Sequence, residues 1–238
     1  MSEPVGGPVR VKICCIRDLE EARLAVDAGA SALGLVSDMP SGPGVIDEET
    51  IAAVAAAAPP AVATFLLTCR ADAPGIADQV RRTRVSTVQI CDRPEPGTAA
   101  ALHRALPALK VVQVVHVIGP ASVDEAVAAA EDADAILLDS GNPAARVKEL
   151  GGTGRRHDWA LSAEVVSRAS RPVFLAGGLT PENAADAIRT VQPWGLDICS
   201  GVRTGGRLDS GKLARFFAAV HSVPTGGPEG SGRRVRPR

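Results

Sequence analysis

Cys14 and Asp139 are the two side chains whose type and position best suit proton transfer. Cys14 closes the run Val11-Lys12-Ile13-Cys14, and Asp139 closes Leu137-Leu138-Asp139. A thiol and a carboxyl at the ends of different strands can face each other across one mouth, the one removing a proton while the other supplies one. Each also has a plain structural reading: Cys14 as a buried thiol and Asp139 as a cap on the turn that follows.

Glycine turns form a second constellation. They are Gly151-Gly152-Thr153-Gly154, then Gly177-Gly178 directly ahead of a helix, then Ser200-Gly201 after an apolar run. Glycine lets backbone N–H groups approach an anion with no Cβ in the way, and a helix N-terminus adds favourable partial charge. Gly152, Thr153, Gly154, Gly177, Gly178, Ser200 and Gly201 are therefore the expected phosphate-binding residues, with ordinary tight turns as the alternative. The expected partner is a phosphorylated small molecule.

The elements that must position these groups alternate along the chain. Strands are expected at residues 9–15, 32–36, 61–67, 86–90, 110–117, 135–138, 172–176 and 195–198. Helices are expected at 19–28, 47–57, 74–82, 97–106, 122–131, 160–169, 181–191 and 210–220, with Thr180 as a cap and Pro181 at the first helical position. Short strands separated by helices pair in parallel through right-handed crossovers, and eight such units close into a (β/α)₈ TIM barrel of the α/β class. A doubly wound open sheet is the competing arrangement, but the first turn lacks a G-x-G-x-x-G fingerprint. Such barrels react at the C-terminal ends of their strands and hold phosphate after strands seven and eight, where the glycine turns fall. One barrel is expected over residues 9–222, between a flexible lead-in at 1–8 and a disordered Gly/Pro/Arg-rich tail at 223–238.

Composition narrows the function classes. With 26 basic and 27 acidic residues the net charge is −1, which suggests no nucleic-acid surface; at 3% aromatic residues and no Tyr, there is little on which bases could stack. Five cysteines without a CxxC pair argue against a disulfide framework or a structural zinc site, and for free thiols in a reducing cytoplasm. The first residues lack the apolar core of a secretory leader, and no apolar run is long enough for a membrane span. No metal and no membrane partner are expected.

These motifs, in this order, resemble phosphoribosylanthranilate isomerase, a barrel of tryptophan biosynthesis. The resemblance runs from about residue 10 to 220. It rests on Val11-Lys12-Ile13-Cys14 with Ile16, Ala28-Gly29-Ala30 with Leu33-Gly34, and Val88-Gln89. Further along, Leu137-Leu138-Asp139, Gly151 to Gly154 with Asp158-Trp159, Ala176-Gly177-Gly178-Leu179-Thr180-Pro181-Glu182-Asn183, and Ser200-Gly201-Val202 complete it. The resemblance implies an Amadori rearrangement of an N-linked phosphoribosyl substrate, an aminoaldose phosphate, to an aminoketose phosphate. It implies Cys14 as the general base, Asp139 as the general acid, no cofactor, and a monomer or a homodimer. Lys12, Gln89, Asp38 and Arg203 are the expected substrate-side residues.

The pattern departs from the family around the aglycone. Cys15 stands where the family carries glycine in C-G-I, and Gln89-Ile90-Cys91-Asp92 replaces Q-L-H-G. The loop Ser37 to Val45 lacks the basic residue expected to grip the anthranilate carboxylate and holds Asp38 instead; Arg203 replaces the Glu of S-G-V-E. A carboxylate entering a partly dehydrated pocket needs a cation or several donors. These departures lead to an expectation of weak turnover of phosphoribosylanthranilate by a diverged relative. A phosphosugar epimerase, aldolase or lyase in a specialised pathway, and a non-catalytic phosphate-binding barrel, are the alternatives.

Overall fold

A computed structural model describes residues 8–40, 42–141, 150 and 154–224. Eight parallel strands close a barrel in sequence order: β1 Arg10–Ile13, β2 Ala32–Val36, β3 Ala63–Thr68, β4 Thr87–Ile90, β5 Lys110–His116, β6 Ala135–Asp139, β7 Val173–Leu175 and β8 Gly195–Ile198. The ring is sealed by β1 on β8, where Arg10 pairs with Gly195 and Ile13 with Ile198. Among the described residues, eight α-helices follow the strands: α1 Leu19–Asp27, α2 Glu48–Ala57, α3 Ala73–Thr83, α4 Thr98–Ala105, α5 Ala121–Asp132, α6 Trp159–Arg168, α7 Ala184–Val191 and α8 Ser210–His221.

The period-two direction of strand side chains sorts the core. Val11, Ile13, Leu33, Leu35, Leu66, Val88, Ile90, Leu196 and Ile198 join the buried cluster shared with helix residues such as Ile51, Ile76 and Phe216. The alternate positions Ala32, Val36, Phe65, Leu67, Val112, Val114, Leu137 and Phe174 form a separate cluster inside the barrel. Phe65 and Phe174 meet there edge to face, with ring centroids 5.9 Å apart. Side chains thus fill the interior of the barrel.

Helix starts repeat one local solution. Asp18, Asp47, Asp72, Asp158 and Asp209 are extended N-cap residues whose carboxylates accept a backbone N–H from the first turn. The seventh helix departs from expectation. It begins at Ala184, not at Pro181, because residues 180–183 form a turn. The Asn183 carboxamide accepts from the Thr180 N–H and donates to the Gly178 carbonyl, which folds the chain back onto the glycine turn. The sequence reading also missed a hairpin between β8 and α8. Its strands, β9 Arg203–Thr204 and β10 Arg207–Leu208, are joined by Gly205 and Gly206, both at positive φ as a tight hairpin turn requires. The two-glycine turn between short flanking runs was the available signal.

Of the terminal segments read from sequence, residues 1–7 and 225–238 lie outside the described residues. Among the described residues, no helix is long and apolar enough to cross a membrane.

Candidate active site

One pocket opens at the C-terminal ends of the strands, and it gathers groups that are far apart in sequence. Cys14, Gln89, Asp139, Gly154, Gly177, Gly178 and Ser200 all line it. Cys14 and Asp139 are buried at the ends of β1 and β6, exposed by only 6% and 8%. The Asp139 carboxylate accepts the Ser140 backbone N–H at 2.7 Å, which orients one oxygen. Gly152 and Thr153 lie outside the described residues; Gly154 is the described end of that loop.

The described residues of the three glycine turns pack against one another. A Cβ on Gly178 would come within 2.8 Å of the Arg155 carbonyl carbon and the Arg156 nitrogen, and one on Gly177 within 2.6 Å of Ser140 Oγ. A Cβ on Gly154 would lie 3.7 Å from Ser200 Oγ. Gly201 does not line the pocket, but it sits against the β7 turn so closely that a Cβ would be 2.1 Å from the Leu179 carbonyl oxygen. The absence of side chains brings the loops after β6, β7 and β8 together at one edge of the mouth. Gly178 also has φ of +63°. Gly178→Ala is expected to lose about 1–3 kcal/mol of stability, the usual cost of forced overpacking, and to raise KM more than it lowers kcat. Urea unfolding and steady-state kinetics check this, and wild-type values of both would contradict it.

A buried ion pair lies at the pocket wall. Lys12 is fully buried, and its Nζ is 2.8 Å from Asp197 Oδ1. Burial acts most strongly on both groups, pulling the ammonium down and the carboxyl up. The Asp197 carboxylate and the nearby thiols outweigh burial for Lys12, which stays charged with its pKa above the ordinary range. Asp197 ends above its own ordinary range, since burial together with the neighbouring Asp139 outweighs Lys12. A Cβ on Gly34 would meet Cys14 Sγ at 2.9 Å and Lys12 Nζ at 3.0 Å. The thiol and the ammonium therefore share the space that this glycine leaves. Lys12 was expected to touch substrate directly; it is fully buried, and it is Asp197 that lines the wall.

Two other expected substrate residues lie off the pocket wall. Asp38 is exposed and is not part of the pocket wall; its loop contributes Met39, Gly42 and Pro43 instead. The main chain turns the Asp38 side chain to solvent, while its carbonyl accepts from Cys69 Sγ at 3.4 Å. The Arg203 side chain is largely covered and its terminal nitrogens are engaged by the protein. Its Nη1 donates to both Glu21 oxygens at 3.0 and 3.1 Å and to the Gly206 carbonyl, and its Nη2 donates to the carbonyls of Cys14 and Cys15. It holds the β1–α1 loop in place from below. Gln89 does line the pocket, with Nε2 3.7 Å from the sulfur of Cys91. Burial pushes that thiol far up, so Cys91 is a neutral neighbour.

The sequence reading passed over Asp197 and His116. Asp197 was detectable as a charge within the otherwise apolar strand Gly195-Leu196-Asp197-Ile198. His116 ends β5 opposite Asp139 in register, is buried, and has its Nε2 3.3 Å from the Cys91 carbonyl. Among the described residues, no cluster of three or more His, Cys, Asp or Glu side chains could hold a metal ion. The arrangement thus offers a thiol, a carboxyl and a set of backbone donors around one small concavity.

Comparisons with known proteins agree on one family. Residues 11–219 match the family described as N-(5'-phosphoribosyl)anthranilate (PRA) isomerase. A Methanosarcina mazei protein named N-(5'-phosphoribosyl)anthranilate isomerase 2 is 35% identical over 210 residues, 87% of this chain and 92% of its own length. The crystal structure of phosphoribosyl anthranilate isomerase from Thermus thermophilus is similar with a TM-score of 0.77 and 30% identity, covering 90% of this chain and 99% of that one. A solved phosphoribosyl anthranilate isomerase in complex with reduced 1-(o-carboxyphenylamino)-1-deoxyribulose 5-phosphate has a TM-score of 0.73 and 28% identity, covering 90% of this chain and all of that one (100%).

Proposed function

The chain belongs to the N-(5'-phosphoribosyl)anthranilate isomerase family, and from that premise we propose that it converts this aminoaldose phosphate to the aminoketose phosphate by an Amadori rearrangement. The observation that carries the reading is the convergence of Cys14, Asp139 and the glycine turns on one pocket at the strand ends. The phosphate rests on backbone N–H groups of Gly154, Gly177, Gly178 and Ser200, which line the pocket, with Gly201 packed behind them. Asp139, as general acid, protonates the furanose ring oxygen, and the ring opens to an iminium. Cys14, as general base close to the buried ammonium of Lys12, removes the proton at C2′. The resulting enolamine takes up a proton at C1′, loses the proton of its C2′ hydroxyl and becomes the ketone. No step in this sequence calls for a metal or a redox cofactor.

The divergence expected from the second βα loop is not required. Relatives bearing the isomerase name align over most of the chain, and the acid thought to repel the substrate faces solvent. The aglycone end of the pocket presents Val36, Met39, Pro43 and Leu67, an apolar wall suited to an aromatic ring. Asp38→Asn is accordingly expected to change KM for phosphoribosylanthranilate by less than about twofold, as for a screened surface charge. A larger fall in KM would restore the repulsion argument. Every pocket residue named comes from one barrel, so the chemistry needs a single chain whether the protein is a monomer or a homodimer. Free thiols suit a cytoplasmic setting.

Turnover in D₂O tests the reaction type. Proton removal at C2′ followed by reprotonation puts a solvent deuterium at C1′ of the product. Complete transfer of the C2′ hydrogen to C1′, with no solvent deuterium in the product, would contradict a base that exchanges its proton with solvent.

A further inference from the structure

Three of the five cysteines cluster at the pocket rim, and acid/base chemistry uses only one of them. Cys15 Sγ lies 2.9 Å from Cys199 Sγ and 3.8 Å from Cys14 Sγ. Cys15 is one of three non-glycine residues at positive φ among the described residues, at 61°, a conformation that suits glycine and costs a side-chain-bearing residue roughly 1 kcal/mol. The neighbouring loop makes room for it. Gly44 stands against Cys15 so closely that a Cβ there would lie 2.5 Å from Cys15 Cβ. A strained position and a matching gap thus hold one thiol against another across the β1 and β8 ends.

We propose that Cys15 and Cys199 are a redox pair, which a hydroperoxide joins in a reversible disulfide beside Cys14. The two thiols differ in the way such a pair needs. Hydrogen bonding with Cys14 and Cys199, together with burial, pushes the Cys15 thiol up. Hydrogen bonding with Cys15, and the Arg203 guanidinium nearby, hold the Cys199 thiol below its ordinary value despite burial. Cys199 is also the more accessible, being half-buried where Cys15 is buried. Cys199 thiolate therefore attacks a peroxide oxygen. The O–O bond breaks, the leaving oxygen departs with the electron pair and takes a proton, and Cys199 becomes a sulfenic acid. Cys15 then attacks that sulfur; the S–S bond forms, the S–O bond breaks, and hydroxide leaves as water with the Cys15 proton. Two thiols lose two electrons, and the peroxide is reduced to an alcohol or water plus a second water.

Bridging removes the S–H that Cys15 holds next to Cys14 and draws the side chain towards β8. Turnover is therefore expected to fall roughly two- to tenfold, the weight of about one hydrogen bond. The pairing rests on thiol geometry alone, whereas its effect on rate rests on Cys14 as the base; separate readouts keep the two apart.

The full chain is treated with hydrogen peroxide, remaining thiols are alkylated under denaturing conditions, and peptides are mapped by mass spectrometry. A Cys15–Cys199 linked peptide, lost on dithiothreitol treatment and absent in Cys199→Ser and Cys15→Gly, is the expected result. Mapping that finds Cys14 bridged or oxidised while Cys15 and Cys199 stay free overturns the pairing. A bridged protein whose kcat equals that of its reduced form overturns the effect on rate.

Discussion

Cys14→Ser and Asp139→Asn are each expected to lower kcat by at least ~10²-fold, the ordinary cost of losing a general base or acid. Both substitutions keep shape, so the effect isolates proton transfer from packing. A serine hydroxyl is a poorer proton acceptor through ionisation than a cysteine thiol, and the amide protons of asparagine are too weakly acidic to be transferred to the ring oxygen. The glycine turns at Gly154, Gly178 and Gly201, proposed to hold the phosphate, are untouched by either change. A product analogue should therefore bind with nearly wild-type affinity, and the loss should fall on kcat. If either variant kept near-wild-type kcat, that residue would be removed from the proposed mechanism.

The largest stability effect is expected from Lys12→Met. The lysine is fully buried against Asp197, and removing one partner of a buried pair leaves the other without compensation. Such a loss costs about 3–5 kcal/mol, read from the urea midpoint at neutral pH. Its pH dependence has a definite sign. Burial and Asp139 already raise the Asp197 carboxyl above its ordinary value, and without Lys12 it rises further. A carboxyl with a higher pKa in the folded than in the unfolded state favours folding at low pH, an advantage lost as pH rises through the folded value. The deficit of Lys12→Met should thus shrink towards about pH 5 and grow towards about pH 8. Lys12→Met combined with Asp197→Leu should recover much of it, since an apolar pair of similar size fills the same space. A deficit below about 1 kcal/mol at neutral pH, or one independent of pH, would contradict this account of the pair.

Much of this was readable from residue order. The alternation of β-branched runs with Ala-rich helical stretches predicted eight β/α units, and the closed barrel contains them with shifts of a residue or two at most ends. Motifs whose chemistry depends on strand ends, such as Lys12-Ile13-Cys14 and Leu137-Leu138-Asp139, stand at the mouth because strand position alone decides which end of the barrel they reach. Side-chain direction in loops was not readable in that way. Asp38 lies two residues past a strand, and only the path of its loop decides that Met39 faces the pocket and Asp38 faces water. Arg203 could not be placed because its partner Glu21 is 182 residues away. The hairpin that presents it depends on a two-residue glycine turn set between much longer elements. Cys15 is a middle case. Its departure from the glycine of the family pattern was visible, but the left-handed backbone and the contact with Cys199 appear only when β1 and β8 close the ring.

The central claim is that this barrel turns over the unmodified family substrate. Steady-state kinetics on phosphoribosylanthranilate, followed by loss of its fluorescence, tests it most directly. The account predicts kcat/KM within the ordinary enzyme range of about 10⁴–10⁸ M⁻¹s⁻¹. A value well below that range with freshly reduced, fully folded protein would contradict it and point to a substrate with a different aglycone.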